Sequence, residues 1–216
     1  MFINVLTKEQ RLKQDNSNDS DFYSEPRFVY HLDESFRNRL TKLYKEKINN
    51  NAIVLDLMSS WTSHLPEEIK YKRVIGHGLN LLELENNKRL DSFWIQDFNV
   101  DQNIPLDDSS VDVCLMVAAW QYLQYPEKLA FNLKRVMKPK GQLIVSFSNR
   151  AFWAKAPRIW TEGSDIDHIN YIKNVLKTQG WSNLQYITET TKKSGVMSFL
   201  DINGDPFFSV LAENLK

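Results

Sequence analysis

The chain has 216 residues, 42% hydrophobic and 25% charged, which is material for one sizeable globular core and too little length for two domains of usual size. Lys plus Arg and Asp plus Glu stand at 27 each, so no excess positive charge invites a phosphate backbone and nucleic acid is set aside as a partner. No run approaches the roughly 18 apolar residues that cross a bilayer, and no basic leader opens the sequence. The single cysteine, Cys114, lies in the apolar run VCLMVAAW, which rules out an internal disulfide and a cysteine-based metal site. The expectation is a cytoplasmic protein with neither a membrane nor a metal partner; its oligomeric state is not legible.

Taken in order, residues 1–20 read as a flexible N-terminal arm, because Asn16, Ser17, Asn18, Asp19 and Ser20 have no apolar surface to bury. Residues 21–216 read as a single domain, opening at 21–50 with an aromatic segment and a helix. Phe22, Tyr23, Phe28 and Tyr30 crowd around Pro26 and Arg27, and this knot is either a packed brace or a lid over a ligand. Asp33 caps the helix that follows, whose inward stripe is Leu32, Phe36, Leu40, Leu43, Tyr44 and Ile48.

From Asn51 short apolar strands alternate with segments of helical length, the pattern of a parallel sheet covered on both faces. Strands are expected at Ile53–Asp56, Arg73–Ile75, Phe93–Gln96, Val111–Ala118 and Leu143–Phe147. Short helices are expected near Ser63–Ile69 and Leu81–Asn86, a longer one opens at Pro126 and stops at Pro139 and Gly141, and another runs from about Asp165 to Gly180. Leu184–Thr188 and Phe207–Ala212 close the chain as an antiparallel pair, with Asn203-Gly204 turning into the last strand.

The succession VLDLMSSW, VIGHGLN, IQDFN and IPLDDSSVDVCLMVAAWQYLQYPEKLAFNLKRVMKPKGQLIVSFSNR resembles a class I S-adenosylmethionine-dependent methyltransferase of the type 11 kind. The resemblance covers about Ala52 to Asn149, and SSWTSHLP with GHGLN and SFSNR is similar to a cyanobacterial and plant branch of it. It implies a Rossmann-like, doubly wound α/β fold: a seven-stranded sheet in the order 3-2-1-4-5-7-6, strand seven antiparallel, with helices on both faces. It also implies S-adenosylmethionine as cofactor, no metal, and a small-molecule acceptor. Transfer of this kind asks the protein to hold a nucleophile in line with the methyl group and to exclude water.

The resemblance puts Asp56, Ser59, Ser60, Gly78, Asn80, Asp97, Phe98 and Ala118 on the cofactor side. Asp56 matches the motif residue that organises the first loop, and Asp97 with Phe98 matches the pair that meets adenine; an aspartate merely capping a loop explains either position as well. Two departures stand out. The three glycines usual after strand one are replaced by Met58, Ser60 and Thr62, so the loop takes another path or is strained by about 1–2 kcal/mol per left-handed residue. The acidic residue usual after strand two, which accepts the ribose hydroxyls, is Gly78, leaving His77, Asn80 or Glu83 as substitutes. A different reading follows if the cofactor was lost with the glycines: a binding or scaffold protein on the same fold.

On the acceptor side the candidates are Tyr23, Arg27, His31, Trp120, Asn149 and Arg150. Trp120, an aromatic next to VAA, reads more readily as core. The segment AFWAKAPRIW adds Phe152, Trp153, Arg158 and Trp160, aromatics beside arginines that suit a planar or carboxylated molecule. His31, His64 and His168 titrate near neutrality, but no spacing pairs one with a carboxylate, so no general base is assigned.

Overall fold

A computed structural model describes residues 1–192 and 203–215. Seven strands form one sheet: β1 Ile53–Leu57, β2 Arg73–Gly78, β3 Ser92–Ile95, β4 Val111–Val117, β5 Met137–Phe147, β6 Ser182–Glu189 and β7 Phe207–Glu213. Their order is β3-β2-β1-β4-β5-β7-β6. Neighbours from β3 to β5 are parallel, whereas β7 runs antiparallel to both β5 and β6. This is the expected order and sense.

Alternation along each strand divides the core between two faces. Val54, Val113, Leu115 and Ile144 point to the side covered by α2, Glu34–Lys47, with its buried Phe36, Leu40, Leu43 and Tyr44. Leu55, Leu57, Cys114, Met116, Leu143 and Val145 point the other way, onto α4 (Pro126–Val136) and α6 (Asp165–Thr178). Local chemistry sets the helix starts. The Asp33 carboxylate accepts from the Phe36 N–H at 2.9 Å, Pro126 occupies the first turn of α4, and Ser164 and Asp167 cap α6 reciprocally. The remaining helices are short: α1 Asp19–Phe22, α3 Leu81–Asn86 and α5 Arg158–Thr161.

Four expectations are corrected. No helix forms over 63–69, because His64 has a φ of 53° and Pro66 follows it, and neither continues a helical turn. Helix α4 ends at Val136 rather than at the KPKG stop, and β5 begins on the next residue. KPKG is a bulge in β5: Val111 pairs with Met137 and Val113 with Gln142, so residues 138–141 loop out, with Lys140 at a φ of 63°. Asn203 pairs with Lys192 and Gly204 donates to the Thr191 carbonyl, so Asn203-Gly204 lies opposite residues 191–192 rather than at a turn; residues 193–202 fall outside the described residues.

The fourth correction concerns the N-terminal arm, which is docked. The Val5 and Leu6 N–H groups donate to Glu127 Oε1 at 2.8 and 2.7 Å, Arg11 pairs with Glu127 at 2.8 Å, and Leu6 enters the core. The polar stretch that composition marks as unpackable is held by charge. Lys13 bonds Asp19 at 2.6 Å, and the buried Lys155 ammonium bonds the carbonyl and hydroxyl of Ser17. Among the described residues no helix is long and apolar enough to cross a membrane.

Candidate functional site

The carboxyl ends of β1, β2, β3, β4 and β5 open into a cavity of about 570 Å³, within the ~300–1,000 Å³ typical of small-molecule sites. In an open α/β sheet this edge is where crevices form, since neighbouring crossovers leave it in opposite directions. Of the residues expected on the cofactor side, Ser59, Ser60, Gly78, Asn80, Asp97, Phe98 and Ala118 line it. Tyr23, Arg27, His31, Asn149 and Arg150 line it on the acceptor side.

Two expected residues do not line this cavity. Asp56 lies beneath the β1 loop at 4% exposure and accepts from the Ser59 hydroxyl at 2.6 Å. Burial pushes its carboxyl up to about 6, against the downward pull of the Ser59 and Ser63 hydroxyls. It therefore organises the loop from below. Trp120 is 2% exposed and packs in the core. Arg158 pairs with Glu162 at the surface and Trp160 stacks on His168 in the core, so only the first part of the AFWAKAPRIW segment, Phe152 and Trp153, reaches the cavity.

The glycine-free loop follows a strained path held by a histidine. Met58 has a φ of 53°, and its N–H donates to His77 Nδ1 at 3.1 Å. His77 Nε2 donates to the Gln96 carbonyl at 2.8 Å, which fixes the tautomer, and the ring stacks on Phe98 at 3.9 Å between centroids. One buried imidazole thus ties the end of β1 to the end of β3. Desolvation pushes its pKa down to about 4, keeping it neutral and Nδ1 free to accept. Ala118, at the end of β4, has a φ of 48°, so two strained residues flank the cavity floor.

The glycine has moved to the neighbouring strand. A Cβ on Gly78 would stand 2.6 Å from the Ser59 carbonyl oxygen, so the β1 loop occupies the space that a side chain at 78 needs. A carboxylate returns one helical turn later. Asn80 caps α3 by accepting from the Glu83 N–H at 3.0 Å, which sets Glu83 on the cavity wall. Its carboxylate accepts from the Ser60 hydroxyl and from the Arg27 N–H, the latter at 2.7 Å. The spacing Asn-x-x-Glu, a helix-start signature, was the available signal for Glu83.

The aromatic knot of residues 22–32 lies across the mouth. Asn80 Nδ2 donates to the carbonyls of Tyr23 and Ser24, both at 2.9 Å, and Trp61 Nε1 donates to the Val29 carbonyl at 3.3 Å. Trp61 packs with Phe28 and Tyr30 outside the cavity and does not fill it. At the far end Asp97 accepts from the Asn99 N–H at 2.7 Å, and burial raises its carboxyl. His31 faces Phe152 and is pushed down by burial and by Arg27; His64 packs against Tyr30, and His168 bonds the Trp160 carbonyl in the core.

The strand order and a cavity at this edge define a class I methyltransferase fold. Residues 61–145 match the family model described as "Methyltransferase domain", a match that starts at Trp61, inside the glycine-free loop. The likeness to type 11 methyltransferases therefore rests on residues 61–145 in sequence and on the order and sense of the seven strands in fold. Solved structures agree on the fold. It is similar to the putative methyltransferase solved with the Trm112 methyltransferase activator of Haloferax volcanii, at 17% identity and a TM-score of 0.59 over 85% of this chain and 91% of that one. A SAM-dependent methyltransferase from Archaeoglobus fulgidus is similar at 14% identity and 0.59, over 82% and 92% of the two chains. A possible histamine N-methyltransferase from Thermotoga maritima is similar at 19% identity and 0.57, over 84% and 91%. No curated protein matches the chain in sequence.

Proposed function

We propose that the protein is a cytoplasmic enzyme transferring a methyl group from S-adenosylmethionine to a small organic acceptor. The observation that carries the reading is the cavity itself. It stays open although glycines are missing, because Trp61 packs outside it and the close approach of loop to strand falls at Gly78.

Asp97 and Phe98 would hold the adenine end, Glu83 the ribose, and the loop from Met58 to Ser60 with Ala118 the methionine end. Each Glu83 oxygen accepts one bond from the protein and retains a lone pair, so the carboxylate still has acceptor capacity for a diol. The cofactor supplies a sulfonium-activated methyl group. The chain's own part is to orient and to exclude water: Tyr23, Arg27 and His31, packed with Phe152, close the mouth, and Asn149 and Arg150 line the cavity beside them.

Calorimetric titration with S-adenosylhomocysteine, repeated on Asp97→Ala, tests the reading. Binding that weakens in the variant is the expected result. Saturation at 100 times the dissociation constant should add about 2.7 kcal/mol to stability. One observation favours the non-catalytic alternative: Asn80 and Glu83 already find partners within the protein, so the cradle holds together without a ligand. No heat and no thermal shift with S-adenosylhomocysteine would decide for it.

A further inference from the structure

Among the arginines, Arg11, Arg39, Arg135, Arg150 and Arg158 each face a carboxylate. Arg27, on the cavity wall, has no ion-pair partner among the described residues. Its guanidinium lies over the rings of Phe22, Tyr23 and Phe152, at 4.6, 5.4 and 5.6 Å from their centroids. One nitrogen, Nη2, donates to the Phe22 carbonyl at 2.8 Å; the other, Nη1, is shielded from solvent and has no hydrogen-bond partner. The backbone of the same residue is fixed by Glu83, so the side chain starts from an anchored point.

A cation held among rings with a donor unused is costly unless an anion completes it. Rings around a guanidinium leave its N–H edge for in-plane recognition, and a carboxylate oxygen is the acceptor that also answers the charge. Phe152 also faces His31 and Tyr122, which extends the apolar wall away from the charge. We propose that Arg27 is the carboxylate-receiving group of this cavity and that the acceptor is a small organic acid whose apolar body lies against Phe152. For the word acceptor this rests on the methyl-transfer reading; the acid site itself does not. The sequence pointed to Arg150 and Arg158 for this task. Arg150 is already engaged by Asp205 at 2.7 Å, and Arg158 lies elsewhere.

The test uses the full chain saturated with S-adenosylhomocysteine and probes it with benzoate, phenylacetate and octanoate, each beside its primary amide, by ligand-observed NMR and calorimetry. The acids should bind about tenfold or more tightly than the amides, as a charge-assisted pair requires. Arg27→Met should remove that preference while leaving amide affinity within about threefold, and Arg27→Lys should restore part of it, a charge without the fork. Equal binding of acids and amides by the unmodified protein, or a preference that survives in Arg27→Met, overturns the proposal. The carboxylate of the cofactor product is the other source of the same chemistry, and 5′-methylthioadenosine, which lacks it, separates the two. If Arg27→Met abolishes the preference for S-adenosylhomocysteine over 5′-methylthioadenosine but spares the organic acids, the proposal falls. Failure of the unmodified protein to bind S-adenosylhomocysteine sinks the methyl-transfer reading instead, and acid binding to the unliganded chain still reports on Arg27.

Discussion

At the scale of single residues, the first loop depends on an exchange between Met58 and Gly78. The loop no longer uses glycine where it turns, so Met58 bears a left-handed backbone, and glycine sits instead where the loop presses on β2. Gly78→Ala should cost about 1–3 kcal/mol, since the obstructing atom is backbone and cannot swing away, and urea unfolding measures it. Two buried groups beneath the loop make opposite demands on pH. The Asp56 carboxyl titrates near 3.8 unfolded and at about 6 folded, so between these values the native state holds a proton that the unfolded chain has released. Its contribution is present below about pH 4 and is lost as pH rises through 6, by on the order of 2–3 kcal/mol. For His77, 6.5 unfolded and about 4 folded, the unfolded chain takes the proton first, so stability is lost as pH falls from 6.5 towards 4. The two slopes oppose each other in the unmodified protein. Relative to the unmodified protein, Asp56→Asn should remove loss of stability on raising pH from 4 through 6, and His77→Gln should lessen the loss on lowering pH from 6.5 towards 4.

At the scale of elements, the N-terminal segment is fastened to α4 by one carboxylate. Glu127 is 1% exposed and accepts from the N–H groups of Val5 and Leu6 and from Arg11. Burial alone would raise its pKa, but Arg11 and the two backbone donors hold it below the usual carboxylate range. Removing one member of a buried pair leaves the other charge uncompensated, so Glu127→Ala should cost about 3–5 kcal/mol in urea unfolding. The same variant should admit protease cleavage before Asp19, while the unmodified segment resists. Composition gave no sign of this docking, because its partners are Glu127 and Lys155, more than a hundred residues away.

At the scale of the molecule, the cavity draws on the ends of five parallel strands, on α3 and on the segment around Arg27, and Glu83 joins the last two to the β1 loop. Saturation with S-adenosylhomocysteine should therefore slow amide hydrogen exchange together at residues 22–32, at the β1 loop and after β3, leaving β6 unchanged. Protection confined to one of these would mean that they do not act as one site.

The sequence by itself determined the sheet: hydrophobic strands at regular spacing, caps at Asp33, Asn80 and Ser164, and Pro126 opening α4 are local signals, and residues near in sequence produce them. It also brought twelve of its fourteen proposed site residues to one cavity, because strand ends are local too and the topology gathers them at one edge. Tertiary structure decided what depends on distance. Only the packed fold shows that Ser59 lies against Gly78, that Glu83 reaches Ser60 and the Arg27 backbone, that Trp120 turns into the core, and that Arg150 meets Asp205 while the Arg27 guanidinium has no ion-pair partner among the described residues. Whether a buried charge is answered depends on which groups share its space, and residues far apart in the chain become neighbours only when the sheet and its helices pack.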